Sequence, residues 1–273
     1  MSDFLEDKAE RAESEGDLLT ALKLWRELAI RHQDAVFFCR YGNAAKELAR
    51  WDEAEAAFHQ ALKIDPCLSA AMECMGSFWV SRLDKERDES LRVARDWFLR
   101  ALQYERNARI LTFLGNVEAA LDNEQAARPL FEEAISLDPN YEEALYNLAS
   151  VEKHANNSEK ADSLLRRALE IDPDYALAHR DIGILLHGEG NLEEAEYHLR
   201  RALELDPADY WAHMYLANLL GVQGRNVEAE QTYKLATTLH PELTEGIEFF
   251  ARFLDSVGKT EEAADVRKHA KHT

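Results

Sequence analysis

His179 and His213 stand 34 residues apart at equivalent apolar positions. Imidazoles held at one spacing are a common beginning of a metal site. His154 and His187 both fall near the ends of helical segments, but 33 residues apart, one position out of register. Equivalent residues in adjacent repeated units would be separated by one helix spacing, roughly 8–10 Å. That is too far for one metal without further ligands, and no cysteine or carboxylate cluster supplies them. Packing or solvent roles are expected for these histidines, and no metal. The paired acids Glu193-Glu194 and Glu261-Glu262 read as charges at helix starts rather than as a general acid and base. The sequence carries no glycine-rich phosphate loop, no HExxH and no GxSxG. Cys39, Cys67 and Cys74 are odd in number, lack CxxC spacing and give no disulfide framework, which favours a reducing, cytoplasmic setting. No catalytic residue, no cofactor and no enzymatic activity are expected.

The elements that would position any site repeat strictly. Alanine recurs at 127, 161, 195, 229 and 263, and proline at 139, 173, 207 and 241, always 34 residues apart. Upstream, Ala94, Ala54 and Ala21 continue the first series. A second runs Ala61, Ala101, Ala134, Ala168, Ala202, Ala236 and Ala270. A third places Gly42, Gly76, Gly115, Ala149, Gly183, Ala217 and Ala251 twelve residues before the first alanine, except for an eighteen-residue gap in one copy. A period of this length marks a solenoid of supersecondary units.

Residues 176–209 show the unit most cleanly. Ala178, Ile182, Leu185 and Leu186 lie at helical spacing and give a first helix one apolar face. Gly190 can end it at positive φ. Asn191 can cap a second helix whose stripe is Leu192, Leu199 and Leu203, and Asp206-Pro207 stops it. Small residues at 183, 195 and 202 allow two antiparallel helices to approach closely. Trp25, Phe58, Phe98, Phe131, Leu165, Leu199 and Tyr233 occupy one equivalent position and fill the space between. Neither helix can bury its face alone, so stacked neighbours complete the core.

A small residue followed by Ala-x3-large-x2-Ala-x4-Pro within 34 residues resembles the tetratricopeptide repeat. The resemblance implies an all-α, right-handed α-solenoid of about eight helix-turn-helix repeats occupying residues 1–273 as one domain. Their expected bounds are 2–34, 35–68, 69–107, 108–141, 142–175, 176–209, 210–243 and 244–273. Arg267 stands in the large apolar slot of the last unit, which reads as a polar cap. The resemblance also implies a concave groove lined by first helices that holds a peptide or partner helix. Carried over by position, that face includes Asn43, Lys46, Arg109, Asn116, Tyr146, Asn147, Ser150, Arg180, Trp211, Tyr215 and Asn218. Asparagine amides offer both donor and acceptor to an extended backbone, and Tyr, Trp and Arg dominate interface energetics. The lane from unit 108–141 to unit 210–243 is the expected binding stretch. Asn116 and Asn147 match the two asparagines of the chaperone-tail clamp, but Thr112, Leu177 and Asp181 replace its other residues, so that clamp is absent. The expected function is a non-enzymatic interaction scaffold or adaptor. The alternative is a helical accessory subunit of a multiprotein enzyme or of a secretion- or pilus-type assembly.

Charge narrows the partner. The 273 residues carry 32 basic and 52 acidic side chains, a net charge of −20. The excess is −8 over residues 1–137 and −12 over 138–273, so it is spread along the chain. A field of this sign repels phosphate backbones, and nucleic acid is not an expected partner. The opening MSDFLEDKAERAE lacks an apolar core, and no apolar run is long enough to span a bilayer, so neither a secretory leader nor membrane insertion is expected. Oligomeric state stays open. Two irregularities interrupt the array. Unit 69–107 has about six extra residues around 81–90, and residues 79–109 hold eight basic against six acidic residues together with Trp79 and Trp97. That stretch reads either as a docking protrusion or as a hairpin lengthened by a turn in each helix. Pro129 falls inside a second helix, predicting a local bend or a later first turn.

Overall fold

A computed structural model describes residues 2–82, 86–241 and 243–269. Among these residues every regular element is an α-helix. Eight helical hairpins follow one another: α1 (Ser2–Ser14) with α2 (Leu18–His32), α3 (Ala35–Glu47) with α4 (Trp51–Ile64), α5 (Ser69–Ser81) with α6 (Arg87–Tyr104), and α7 (Ala108–Ala120) with α8 (Glu124–Leu137). Then come α9 (Glu142–His154) with α10 (Ser158–Ile171), α11 (Ala176–Glu189) with α12 (Leu192–Leu205), α13 (Tyr210–Val222) with α14 (Asn226–Leu239), and α15 (Thr244–Ser256) with α16 (Thr260–His269). They form two compact units, Met1–Val151 and Glu152–Thr273. In the first, each helix from α1 to α8 packs on the next, and the first helices α3, α5 and α7 also touch one another. In the second, α10 to α16 pack in sequence, with α11, α13 and α15 again in direct contact.

The alanine series is the helix-crossing point. Ala21, Ala54, Ala94, Ala127, Ala161, Ala195, Ala229 and Ala263 are all fully buried. So are Ala61, Ala101, Ala134, Ala168, Ala202 and Ala236, seven residues or about two turns further on. Between these two series sits the large residue, pressed against the glycine of the partner helix. A Cβ placed on Gly76 would lie 2.6 Å from Phe98 Cε1, one on Gly115 2.5 Å from Phe131 Cε1, and one on Gly183 2.7 Å from Leu199 Cγ. Gly42 meets Phe58 in the same way. These glycines are there because the facing side chain occupies the space of a methyl group.

The connections between hairpins are built by one local device. Asp65, Asp138, Asp172 and Asp206 each accept a hydrogen bond at Oδ1 from the backbone N–H two residues on, at 3.0 Å. Each also donates its own N–H to the carbonyl of the buried alanine four residues back. The proline that follows cannot continue a helix, and the aspartate turn redirects the chain. Within hairpins, the turn residue takes positive φ: Gly16, Gly190, Gly224 and Gly258 at 76–83°, and Asn156, Asp122 and Ala49 at 61°, 58° and 54°. Asn and Asp tolerate this region, whereas alanine is strained there.

The irregular unit resolves into two parts. α5 keeps the ordinary length, while α6 begins seven residues before Ala94 instead of the usual three. Four of the six extra residues thus form one added turn of α6, and the other two lengthen the connection, of which residues 83–85 lie outside the described residues. Only one helix is lengthened, not both. α8 starts three residues before Ala127, in register with its counterparts, so Pro129 does not delay the first turn. Pro129 and Gln125, the residue whose carbonyl proline leaves without its usual helical donor, are both exposed. Arg267 pairs with Glu248 and Asp255 at 3.0 and 2.9 Å, giving α16 a polar surface where earlier units bury a large apolar side chain.

Two substitutions test these constraints by urea unfolding. Ala195→Phe should lower stability by about 2 kcal/mol through overpacking, with Glu193→Ala as the neutral control. Ala49→Gly should raise stability by about 1 kcal/mol by relieving the left-handed backbone, because Ala49 is exposed and loses no packing. Equal midpoints for Ala195→Phe and Glu193→Ala would contradict the crossing-point argument.

Candidate functional site

In the second unit, α11, α13 and α15 present a common face. His187 near the end of α11, Trp211, Met214, Tyr215 and Asn218 on α13, and Phe249 on α15 line one cavity of about 170 Å³. Positions 211, 215 and 218 share a helix face because they recur at three- and four-residue spacing. Trp211 and Tyr215 have ring centroids 6.5 Å apart, and His187 meets Tyr215 edge-on at 6.1 Å. Trp211 is 40% exposed and Phe249 45%, large apolar area left uncovered at the mouth. His187 Nε2 is buried without a hydrogen-bond partner. Three of the sequence candidates, Trp211, Tyr215 and Asn218, are therefore brought together. His187, Met214 and Phe249 join them, all at first-helix positions, although only tryptophan, tyrosine, arginine and asparagine identities signalled binding in the sequence.

Arg180 does not point free charge at this cavity. Its Nε donates to Asp181 Oδ1 at 2.9 Å and its Nη1 to Asp209 Oδ2 at 3.1 Å. Asp181 also accepts from Lys153 at 2.7 Å, and Asp209 caps α13 by accepting from the Ala212 N–H at 2.8 Å. The guanidinium ties α11 to the start of α13.

In the first unit the candidates divide differently. Asn43 on α3 donates to Cys74 Sγ at 3.5 Å, and Arg109 on α7 donates to Glu73 Oε2 at 2.9 Å, so both reach neighbouring residues of α5. Burial raises the Glu73 carboxyl above its ordinary value, and Arg109 opposes this. Lys46 donates to Ser77 at 3.1 Å. Asn116 donates to Glu143 at 3.4 Å and lines a separate cavity of about 210 Å³ with Phe113, Phe98 and Val80. Tyr146 and Asn147 are half-buried on α9, and the Asn147 Nδ2 is buried without a partner.

His179, which shares its repeat position with His213, has its close partner on the other helix of its own hairpin. His179 Nδ1 meets His198 Nδ1 on α12 at 2.9 Å, in the interior of the α11–α12 hairpin. His179 Nε2 donates to the Pro173 carbonyl at 3.1 Å, as His213 Nε2 does to Pro207 at 3.0 Å. With Nε2–H committed, His179 accepts at Nδ1 and His198 donates, so His179 is held neutral. Burial lowers His179 and pushes His198 down to about 4. Among the described residues no three His, Cys, Asp or Glu side chains converge as metal ligands.

Repeated hairpins stacked through small-against-large contacts define an α-solenoid. Tetratricopeptide repeat models match residues 140–208, 186–244, and 35–66 together with 108–141, and the chain belongs to the tetratricopeptide repeat family. Proteins of this family are in general non-enzymatic interaction scaffolds. The comparison with curated proteins gives no match. Among solved structures, a chain of the APC/C hetero-tetramer Cut9-Hcn1 superposes with a TM-score of 0.77 at 16% identity over 90% of this chain. This chain spans about half, 48%, of that one's length. PilF of Pseudomonas aeruginosa gives 0.71 at 18% identity, covering 81% of this chain and 99% of the other. YrrB, described as a tetratricopeptide protein with an unusual peptide-binding site, gives 0.50 at 23% over 69% and 95%. No helix among the described residues is long and apolar enough to cross a membrane.

The histidine pair makes a signed prediction. An unfolded histidine takes up its proton near pH 6.5, whereas folded His198 resists until about pH 4. Stability is therefore full above pH 6.5 and falls as pH drops toward 4, because the unfolded chain binds the protons. Urea unfolding at pH 7.5 and 5.5 should show this loss, at up to about 1.4 kcal/mol per pH unit for one group. His198→Gln, which can still donate to His179, should flatten the slope.

Proposed function

We propose that the chain is a non-enzymatic scaffold whose first-helix face in residues 152–273 binds an extended or helical protein segment, anchored by one large apolar side chain in the cavity of Trp211, Tyr215 and Phe249. The observation that carries this reading is the uncovered aromatic mouth around Asn218 and His187. Exposed aromatic clusters on a folded protein mark surfaces that are covered at times. Trp and Tyr bring rigid contact area at low entropic cost, and Asn218 supplies a donor and an acceptor for backbone groups. Residues 152–273 hold 14 basic against 23 acidic side chains, a net charge of −9. A segment with lysine or arginine flanking its apolar anchor therefore complements the site and is steered to it. Family membership and the likeness to a peptide-binding tetratricopeptide protein support the same reading. In the first unit, Asn116 beside its own cavity and Asn147 with an unsatisfied amide are secondary contacts of this kind. The aromatic anchor favours one segment held at one pocket over a broad structural embrace by a multisubunit assembly.

Trp211→Ala with Tyr215→Ala should weaken capture of synthetic basic–apolar peptides, measured by calorimetry against the wild type, by tenfold or more, about 2 kcal/mol. Helicity should be unchanged, because Trp211 is exposed and the lattice residues are untouched. Added salt should weaken the wild-type interaction. A double variant that binds every peptide equally well would move the interaction away from this pocket. Co-purification of one stoichiometric folded subunit, with no peptide binding, would instead favour the accessory-subunit reading.

A further inference from the structure

We propose that Cys39 and Cys74 form a reversible disulfide that ties α3 to α5. The residues are 35 apart in the chain, one repeat plus one position, which sets them side by side on adjacent first helices. α3 and α5 pack directly on each other, and Asn43, one turn along α3 from Cys39, donates to Cys74 Sγ at 3.5 Å, which brings the two thiols within reach of each other. Cys39 is buried and Cys74 half-buried, while Cys67 is exposed in the turn after α4, beside Tyr104 rather than beside this pair.

The surroundings give the two sulfurs different roles. Cys74 accepts from the Cys39 thiol and from Asn43 Nδ2 at 3.5 Å, one turn along α3. Lys46, a further turn on and held by Ser77 at 3.1 Å, adds positive charge. Together these outweigh burial and the carboxylate of Glu73, and hold the Cys74 thiol below its ordinary value. Its neighbour goes the other way: the hydrogen bond to Cys74, then burial, push Cys39 up, with Asp34 and Glu73 adding to the effect. Cys74, the more exposed cysteine and the one that Asn43 and Lys46 approach, is assigned the attack, and the buried Cys39 the resolving step.

Hydrogen peroxide is the oxidant the step requires. The Cys74 thiolate attacks one peroxide oxygen, the O–O bond breaks, and the departing hydroxide takes a proton to become water. The resulting Cys74 sulfenic acid is then attacked by the Cys39 sulfur. The S–S bond forms as the S–O bond breaks, and the Cys39 proton leaves with the hydroxyl as a second water. Two thiols are oxidised and one peroxide is reduced to two waters. A dithiol reductant reverses the bond by exchange. In the disulfide, Cys74 is no longer available as a thiolate acceptor, and the Asn43 amide is released to the first-helix face. That consequence rests on the proposed binding role of the face, whereas the disulfide itself does not.

The test uses the full chain carrying Cys67→Ser, treated with hydrogen peroxide at near-stoichiometric amounts. The expected product is a monomer lighter by two hydrogens, about 2 Da, with the Cys39 and Cys74 peptides joined in a non-reducing digest and separated again by dithiothreitol. With Cys39→Ser added, dimedone should trap a sulfenic acid on Cys74. With Cys74→Ser added instead, trapping on Cys39 should be lower by tenfold or more. Circular dichroism establishes that each variant is folded before treatment. A folded protein that keeps both thiols, links them between molecules, or goes directly to sulfinic acid would overturn the proposal, and trapping mainly on Cys39 would overturn the assigned roles.

Discussion

Everything in this molecule depends on one contact, a large side chain of the second helix seated against a glycine or alanine of the first. Phe58 on Gly42, Phe98 on Gly76, Phe131 on Gly115 and Leu199 on Gly183 are copies of it. The ring fills space that a Cβ would need, so hairpin separation is fixed by steric exclusion as much as by attraction. Buried alanines on either side keep the second helix equally close. With the hairpin fixed, its two apolar faces can be completed only by the next hairpin. Length then follows from repetition, and the outward positions carry no packing duty.

That division of labour explains what was legible in the sequence. Alanine, glycine and proline periods gave hairpin number, helix order and crossing points, because packing forbids other residues at those places. The aspartate before each proline was visible as a stop, and the structure adds that its carboxylate builds the turn. The added turn of α6 was visible only as a changed spacing. Spacing counts residues but does not say which helix absorbs them. Arg180 illustrates a different limit. Its position on the first-helix face was readable, yet its charge is already matched by Asp181, which also holds Lys153, and by Asp209, which caps α13.

Pairs across the array were the least legible feature. His179 and His213 share a repeat position, and the repeat spacing sets such equivalents too far apart to pair directly. The close partner of His179 is instead His198, on the other helix of the same hairpin. Cys39 and Cys74 show the converse. Lacking any local motif, they read as unrelated thiols, although a separation of one period plus one brings two first-helix residues of neighbouring hairpins together. In a solenoid the informative separations are the period plus or minus a position, not the short spacings that mark sites in other folds.

The surface left free by this construction is where the chain can differ from others of its family. On α13 the first-helix positions hold Trp211, Tyr215 and Asn218, while the same helix buries Ala212, Leu216, Leu219 and Leu220 on its other side. One short helix thus serves the stack and the exposed cavity with separate sets of residues. Met214 and Tyr215 lie at the boundary, with Met214 nearly buried yet lining the cavity. An unbranched, polarizable side chain at that place adapts to an occupant without disturbing the layer beneath it. Change at the mouth is therefore cheap in stability, and change one residue deeper is not.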